Sequence, residues 1–184
     1  MFDRDKHHRR TIRLKGWNYS NTEAYFITVC SRNREFLFGK ILDGKMQLNE
    51  YGRIAETEWL QTAAVRSNVE LDEYIIMPNH IHGILVIINN GRGVLQYAPT
   101  EERSFRSPTQ TIGAIVRGFK SATTKHINIK RDTPRYPVWQ RNYYEHIIRN
   151  ENELNRIRQY IIENPIRWEE DPENPENIKL RGET

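Results

Sequence analysis

Two histidines separated by one residue, His80-Ile81-His82, stand at the head of the apolar run Gly83-Ile84-Leu85-Val86-Ile87-Ile88. In a β-strand, residues i and i+2 point to the same side of the sheet, so both imidazoles face one way while Ile81 points to the opposite face. Such a strand can bury itself in a core and still present two nitrogen ligands. Two imidazoles are an incomplete shell for a divalent ion, which needs further oxygen or nitrogen donors from elsewhere in the chain. The plain alternative is a pair of structural histidines satisfied by hydrogen bonds.

A second pair at chemical spacing is Tyr160 and Asn164. Four residues apart on a helix, they lie on one side and one turn apart. The amide oxygen of Asn164 can complete a metal shell begun by two imidazoles, and the Tyr160 phenol can approach a phosphate bound to that metal. The same residues also suit a tyrosine at the core edge and a helix C-terminal residue tolerant of left-handed geometry. Nothing in the sequence obliges this helix to dock on the His80 strand, and Tyr143 and Tyr144 are also eligible nucleophiles.

The elements that must position these groups can be read in chain order. Residues 24–30 are β-branched and aromatic and predict a strand central in the sheet. Phe36-Leu37-Phe38 and Lys45-Met46-Gln47-Leu48 flank Asp43-Gly44, the signal for a tight hairpin. Asn49 can cap a helix whose apolar spacing (Ile54, Ala55, Trp59, Ala63) runs to about residue 66. Residues 69–76 alternate as a strand, Met77-Pro78-Asn79 break it, and the His80 strand returns beside it. Residues 89–108 read as a long loop. Ile112, Ile115, Val116, Phe119 and Ala122 then mark the apolar face of a helix over 109–128, with Arg117 and Lys120 elsewhere on the cylinder. A strand region over 138–148 and a helix from Glu151 to about Asn164, stopped by Pro165, complete the order. Leaving the hairpin aside, this is the α+β, ferredoxin-like βαββαβ arrangement, with helices on one face of the sheet and a C-terminal helix carrying Tyr160.

With 184 residues, 37% hydrophobic and 28% charged, the chain supports one domain with a modest core. The expected division is a basic arm at 1–20, a domain at 21–168 and an acidic tail at 169–184. The single cysteine, Cys30, excludes an internal disulfide and a Cys-rich zinc site. No apolar run reaches the length of a signal or membrane segment, so the expectation is a cytoplasmic protein. The net charge of +4 is unevenly spread. Arg4, Lys6, Arg9, Arg10, Arg13 and Lys15 crowd the first residues, and Arg117, Lys120, Lys125, Lys130, Arg131, Arg135 and Arg141 oppose Asp132 alone between 113 and 141. A basic arm and a basic stripe suit a polyanion, with nucleic acid the default.

Met77-Pro78-Asn79-His80-Ile81-His82-Gly83 resembles the HUH motif (His, bulky hydrophobic, His) of the single-tyrosine transposases. Trp139 to Asn150, followed by Tyr160-Ile161-Ile162-Glu163-Asn164-Pro165, resembles the REP-associated tyrosine transposases in particular, over roughly residues 10–170. The resemblance implies His80 and His82 as metal ligands, Asn164 as the third, and Tyr160 as nucleophile. It implies a nucleoid-associated single-stranded DNA endonuclease and strand transferase that forms a 5′-phosphotyrosyl enzyme on hairpin-containing repeat DNA. Reversal with another 3′-hydroxyl conserves the phosphodiester energy and needs no ATP, in keeping with the lack of a phosphate-binding glycine loop. A phenol with a pKa near 10 is a weak nucleophile at neutral pH, so it requires activation beside a cation-bound phosphate. Magnesium or manganese is the expected cofactor, the imidazoles leaning the site toward manganese.

Arg117, Lys120, Arg13 and Lys15 are expected DNA contacts, with Trp17 or Tyr19 available to stack on bases. His146 is assigned a structural role. The short stretch between His146 and Glu151 limits the travel of the Tyr160 helix, which favours a monomer with its tyrosine acting in cis. Two other classes fit part of the pattern: a non-catalytic hairpin-binding domain, and a hydrolase using metal-bound water. Binding alone does not need His80, His82, Tyr160 and Asn164 together, and a hydrolase would survive loss of the Tyr160 hydroxyl.

Overall fold

The structure is a computed structural model that describes residues 22–88 and 111–177. The basic arm with Arg13, Lys15, Trp17 and Tyr19, and the loop expected over 89–108, lie outside the described residues. The elements are β1 (Thr22–Cys30), β2 (Gly39–Leu42), β3 (Lys45–Leu48), α1 (Glu50–Ala64), β4 (Val69–Ile76), β5 (His80–Ile88), α2 (Ile112–Lys130), β6 (Tyr144–Ile148) and α3 (Glu151–Glu163). Single 3-10 turns occupy Arg32–Arg34 and Trp168–Glu170.

Four strands form an antiparallel sheet in the order β4-β5-β1-β6. That order and the βαββαβ sequence, with β2-β3 as a separate hairpin, make the fold ferredoxin-like. The central strands are apolar on both faces because both faces are covered. Ile27, Val29, Ile81 and Leu85 pack with Trp59 of α1 and Phe119 of α2. Ala24, Phe26 and Ile84 face the other way, where Ile148, Ile157 and Ile161 close a second core under α3. The parity expected of the His80 strand holds: Ile81 is fully buried on the α1/α2 side, and His80 and His82 share the α3 side with Ile84.

Gly83 is required by a close approach. A Cβ there would lie 2.3 Å from Cζ2 of Trp59, whose indole is fully buried over the strand. Side-chain caps start the helices, with Asn49 accepting from Gly52 N at 2.9 Å and Asn150 from Glu153 N at 2.8 Å.

The hairpin differs from expectation in register. Asp43 (φ 50°) and Gly44 (φ 67°) both take left-handed conformations, the signature of a two-residue hairpin turn, which pairs Leu42 with Lys45 and makes Gly39–Leu42 the first strand. Phe36–Phe38 therefore lies outside the hairpin; Phe38 is buried in the core and its N–H donates to Pro78 O at 2.9 Å. The strand region expected over 138–148 is likewise shorter, reduced to Tyr144–Ile148 and a single bridge between Ser31 and Trp139.

Candidate active site

His80 and His82 are both buried at the start of β5, their ring centroids 4.3 Å apart. Each ring is oriented from behind. His80 Nδ1 lies 2.8 Å from Asn79 Oδ1, and the Asn79 amide is itself fixed because its Nδ2 donates to Glu173 O at 2.8 Å and Arg34 O at 3.3 Å. Only an Nδ1–H can satisfy that oxygen, so the His80 Nε2 points away from it. His82 Nδ1 lies 2.8 Å from Thr28 Oγ1 on the neighbouring strand, where Thr28 and His82 are in register. The same arrangement presents the His82 Nε2 to the site. Hydrogen-bonded outer partners of this kind set tautomer and ring direction in metal-ligating histidines.

The nearest acidic group is Asp171. Its Oδ2 is 3.9 Å from each imidazole Nε2, and the three residues form a buried cluster whose ligand atoms all lie within 4.8 Å of one another. Burial by itself would raise the Asp171 carboxyl, but His82, His80 and Asn164 together hold it well below the usual carboxylate range. It is a carboxylate facing the Nε2 atoms of two imidazoles.

Asn164, expected as the third ligand, is brought to the same place, where it also bonds the carboxylate. It sits buried at the end of α3, and its Nδ2 donates to Asp171 Oδ2 at 2.6 Å. The amide thus positions the carboxylate, which offers the cluster its oxygen. Asn164 Oδ1 is buried with no hydrogen-bond partner among the described residues, leaving one more oxygen donor in the site. Two imidazoles, a carboxylate and a spare amide oxygen fit a divalent cation.

Asp171 carried no signal of periodicity or motif, since it falls in the acidic stretch after Pro165. The one available hint is Trp168, an indole among charged residues. Trp168 packs edge-on to Phe36, ring centroids 5.8 Å apart, and lies 6.1 Å from the His80 ring. Beyond it, Asp171, Glu173 and Asn174 are all buried, and Glu173 holds Arg34 in an ion pair and accepts from Cys30 Sγ at 3.2 Å. This part of the segment expected as an acidic tail is therefore packed over the histidines.

Tyr160 does reach the His80 strand. Its hydroxyl is 3.2 Å from His82 Nε2, and its ring stands edge-on to Phe26, centroids 6.1 Å apart. Two fixtures set the position of α3. At its start Glu153 accepts from Arg149 N and contacts His146 Nε2, both at 2.8 Å, which ties α3 to β6. On its flank Arg158 engages Asp72 in a fork, Nε to Oδ1 at 2.7 Å and Nη2 to Oδ2 at 2.5 Å. Asp72 is available because the register of β4 slips between Leu71 and Tyr74. The guanidinium in turn pushes the Asp72 carboxyl down.

The remaining candidates lie apart from this cluster. Tyr143 faces the opposite side of the sheet and donates to Glu145 at 2.8 Å, while Tyr144 packs against Phe26 on the α3 side, its ring centroid 6.2 Å away. Arg117 and Lys120 are on α2, across the sheet from the histidines. Lys120 Nζ is directed at backbone carbonyls, donating to Gln140 O and, at 3.1 Å, to Arg141 O. Its half-buried ammonium ties down the chain before β6, and that burial lowers its pKa.

No protein-family model matches the sequence. An uncharacterized protein of Haemophilus influenzae is 45% identical over 169 residues, covering 90% of this chain and 92% of that one. Among solved structures, a REP-associated tyrosine transposase bound to a REP hairpin superposes with a TM-score of 0.54 at 19% identity, over 88% of this chain and 73% of the other. A proposed transposase from Deinococcus radiodurans R1 gives a TM-score of 0.47 at 18% identity over 83% of this chain and 97% of the other, a likeness too loose to add weight. The chain belongs to one family with the Haemophilus influenzae protein, and its fold is that of the REP-associated tyrosine transposase.

Proposed function

We propose that this protein is a metal-dependent single-strand DNA endonuclease and strand transferase that acts on hairpin-containing DNA through Tyr160. The observation that carries the reading is the placement of the Tyr160 hydroxyl 3.2 Å from His82 Nε2, beside a buried His80–His82–Asp171 cluster with its imidazoles oriented by Asn79 and Thr28. A structural tyrosine does not need to end at a potential metal ligand. The neighbour of the same fold is bound to a REP hairpin, which supports a folded DNA substrate here.

His80, His82 and Asp171 would hold the cation, with Asn164 orienting the carboxylate. When bound, a divalent metal supplies Lewis-acid polarisation of the phosphoryl oxygens and charge stabilisation at the leaving oxygen. The mixed nitrogen and oxygen donors favour manganese over magnesium. Tyr160 gives up its phenolic proton and attacks a backbone phosphorus; the Tyr–O–P bond forms as the P–O3′ bond breaks, and the 3′-oxygen leaves as a hydroxyl after taking a proton. Another 3′-hydroxyl attacking the phosphotyrosine reverses the exchange. The reach of the Tyr160 hydroxyl to His82 within one chain supports a nucleophile acting in cis.

The test is incubation with manganese and a labelled hairpin oligonucleotide bearing single-stranded flanks, resolved on a denaturing protein gel. A covalent band from the native protein that is absent with Tyr160→Phe is the expected result. A hairpin shift on a native gel without any adduct would instead support a binding protein.

A further inference from the structure

The connection between α2 and β6 carries a charged cluster that the metal site does not use. Arg131, Arg135 and Arg141 lie there against one acid, Asp132, and Tyr136 stands among them 42% exposed. Two guanidiniums converge on its ring, Arg131 Cζ at 4.6 Å from the centroid and Arg32 Cζ at 5.5 Å. The ring face attracts each cation, yet it also gathers like charges on one surface. Among the described residues no carboxylate forms a salt bridge with Arg32, Arg131, Arg135 or Arg141.

Hydrogen bonds from α2 fix the turn that carries Arg131 and Tyr136. Buried Asn128 donates through Nδ2 to Tyr136 O at 2.9 Å and accepts from Arg131 Nη2 at 2.7 Å, and its carbonyl takes the Thr133 N–H at 3.1 Å. Asp132 (φ 51°) and Arg135 (φ 65°) are kept in left-handed conformations that cost free energy in non-glycine residues. The turn also sits at the site's end of the sheet. Arg32 N donates to Val138 O at 2.7 Å and Gln140 N to Cys30 O at 2.9 Å, while Cys30 is the register partner of His80.

We infer that Arg32 and Arg131, gathered on the Tyr136 ring, together with Arg135 and Arg141 of the same connection, form a clamp for the phosphate backbone of the DNA hairpin whose flanking strand enters the active site. The inference rests on the nucleic-acid reading of that site and names the surface that holds its substrate. Guanidinium forks match phosphate oxygens, and such contacts position a substrate without reading its sequence.

The test uses Tyr160→Phe protein, to keep binding non-covalent, and a labelled DNA hairpin with single-stranded flanks across a salt series. Adding Arg32→Gln and Arg135→Asn, the latter chosen because Asn tolerates left-handed geometry, should lower the slope of log affinity against log salt by roughly two, at about 0.9 per phosphate contact. Affinity should fall about tenfold or more at physiological salt, and equally for a hairpin of unrelated sequence. Arg32→Lys with Arg135→Lys should restore most of the slope. An unchanged slope, or a loss confined to one sequence, would overturn the clamp. Adduct formation with Tyr160 present reports separately: an adduct with an unchanged slope removes the clamp alone, and a reduced slope without an adduct removes the nuclease alone.

Discussion

Replacing Thr28 with Val tests whether the chain presets its histidines for metal. Thr28 is 3% exposed and its Oγ1 lies 2.8 Å from His82 Nδ1. Valine keeps the β-branched shape of this central strand residue and removes only the hydrogen-bonding oxygen. In the variant the His82 proton can move to Nε2, where the Tyr160 oxygen at 3.2 Å can accept it. Ligating a metal through Nε2 must then reverse that move and leave a buried Nδ1–H unsatisfied, at roughly 1–3 kcal/mol. Loss of an outer hydrogen-bond partner weakens metal sites by about 10- to 100-fold, which falls inside the range that this cost implies. Calorimetric titration with manganese should therefore show an affinity about one to two orders of magnitude weaker, and adduct formation should recover at saturating metal. A manganese affinity within about twofold of the native protein would refute the argument that Thr28 sets the His82 tautomer.

Gly83→Ala should destabilise the fold by about 3 kcal/mol in denaturant unfolding, because its Cβ would meet the buried Trp59 indole and neither strand nor ring has room to move. Asp171→Asn should abolish manganese binding in titration while the hairpin still shifts on a native gel, since the clamp surface is separate. The Asp171 carboxyl is held below its unfolded value despite burial, through His82, His80 and Asn164. Its ionised form thus stabilises the metal-free fold above pH about 4, and the contribution fades as pH falls below that. The stability gap between native protein and Asp171→Asn should accordingly stay level down to about pH 4 and narrow as the pH falls below that.

The histidine pair was legible because strand parity is a local rule: whatever else the chain does, residues 80 and 82 share a face and Ile81 takes the other. The helix carrying Tyr160 and Asn164 was legible in the same way, from its period and from Pro165. Its docking on β5 was not, since that depends on Arg158 finding Asp72 at a slip in β4 and on Glu153 bonding back to Arg149 and His146. Asp171 was hidden for a related reason. The segment around it has the composition of a solvated tail, and its burial comes from Asn164, Arg34 and Asn79, contacts distant in sequence. Lys120 shows the opposite error, a surface charge by helical position whose ammonium turns to bond the carbonyls that precede β6.

The most direct test of the central claim is mass spectrometry of the protein trapped with manganese and a hairpin oligonucleotide, then digested with nuclease and trypsin. Cleavage after Arg158 and Arg167 releases the peptide beginning at Gln159 that contains Tyr160. The account predicts a nucleotide-phosphate mass on Tyr160 in that peptide. The same mass on the peptide containing Tyr143 and Tyr144, or on no peptide at all, would contradict it.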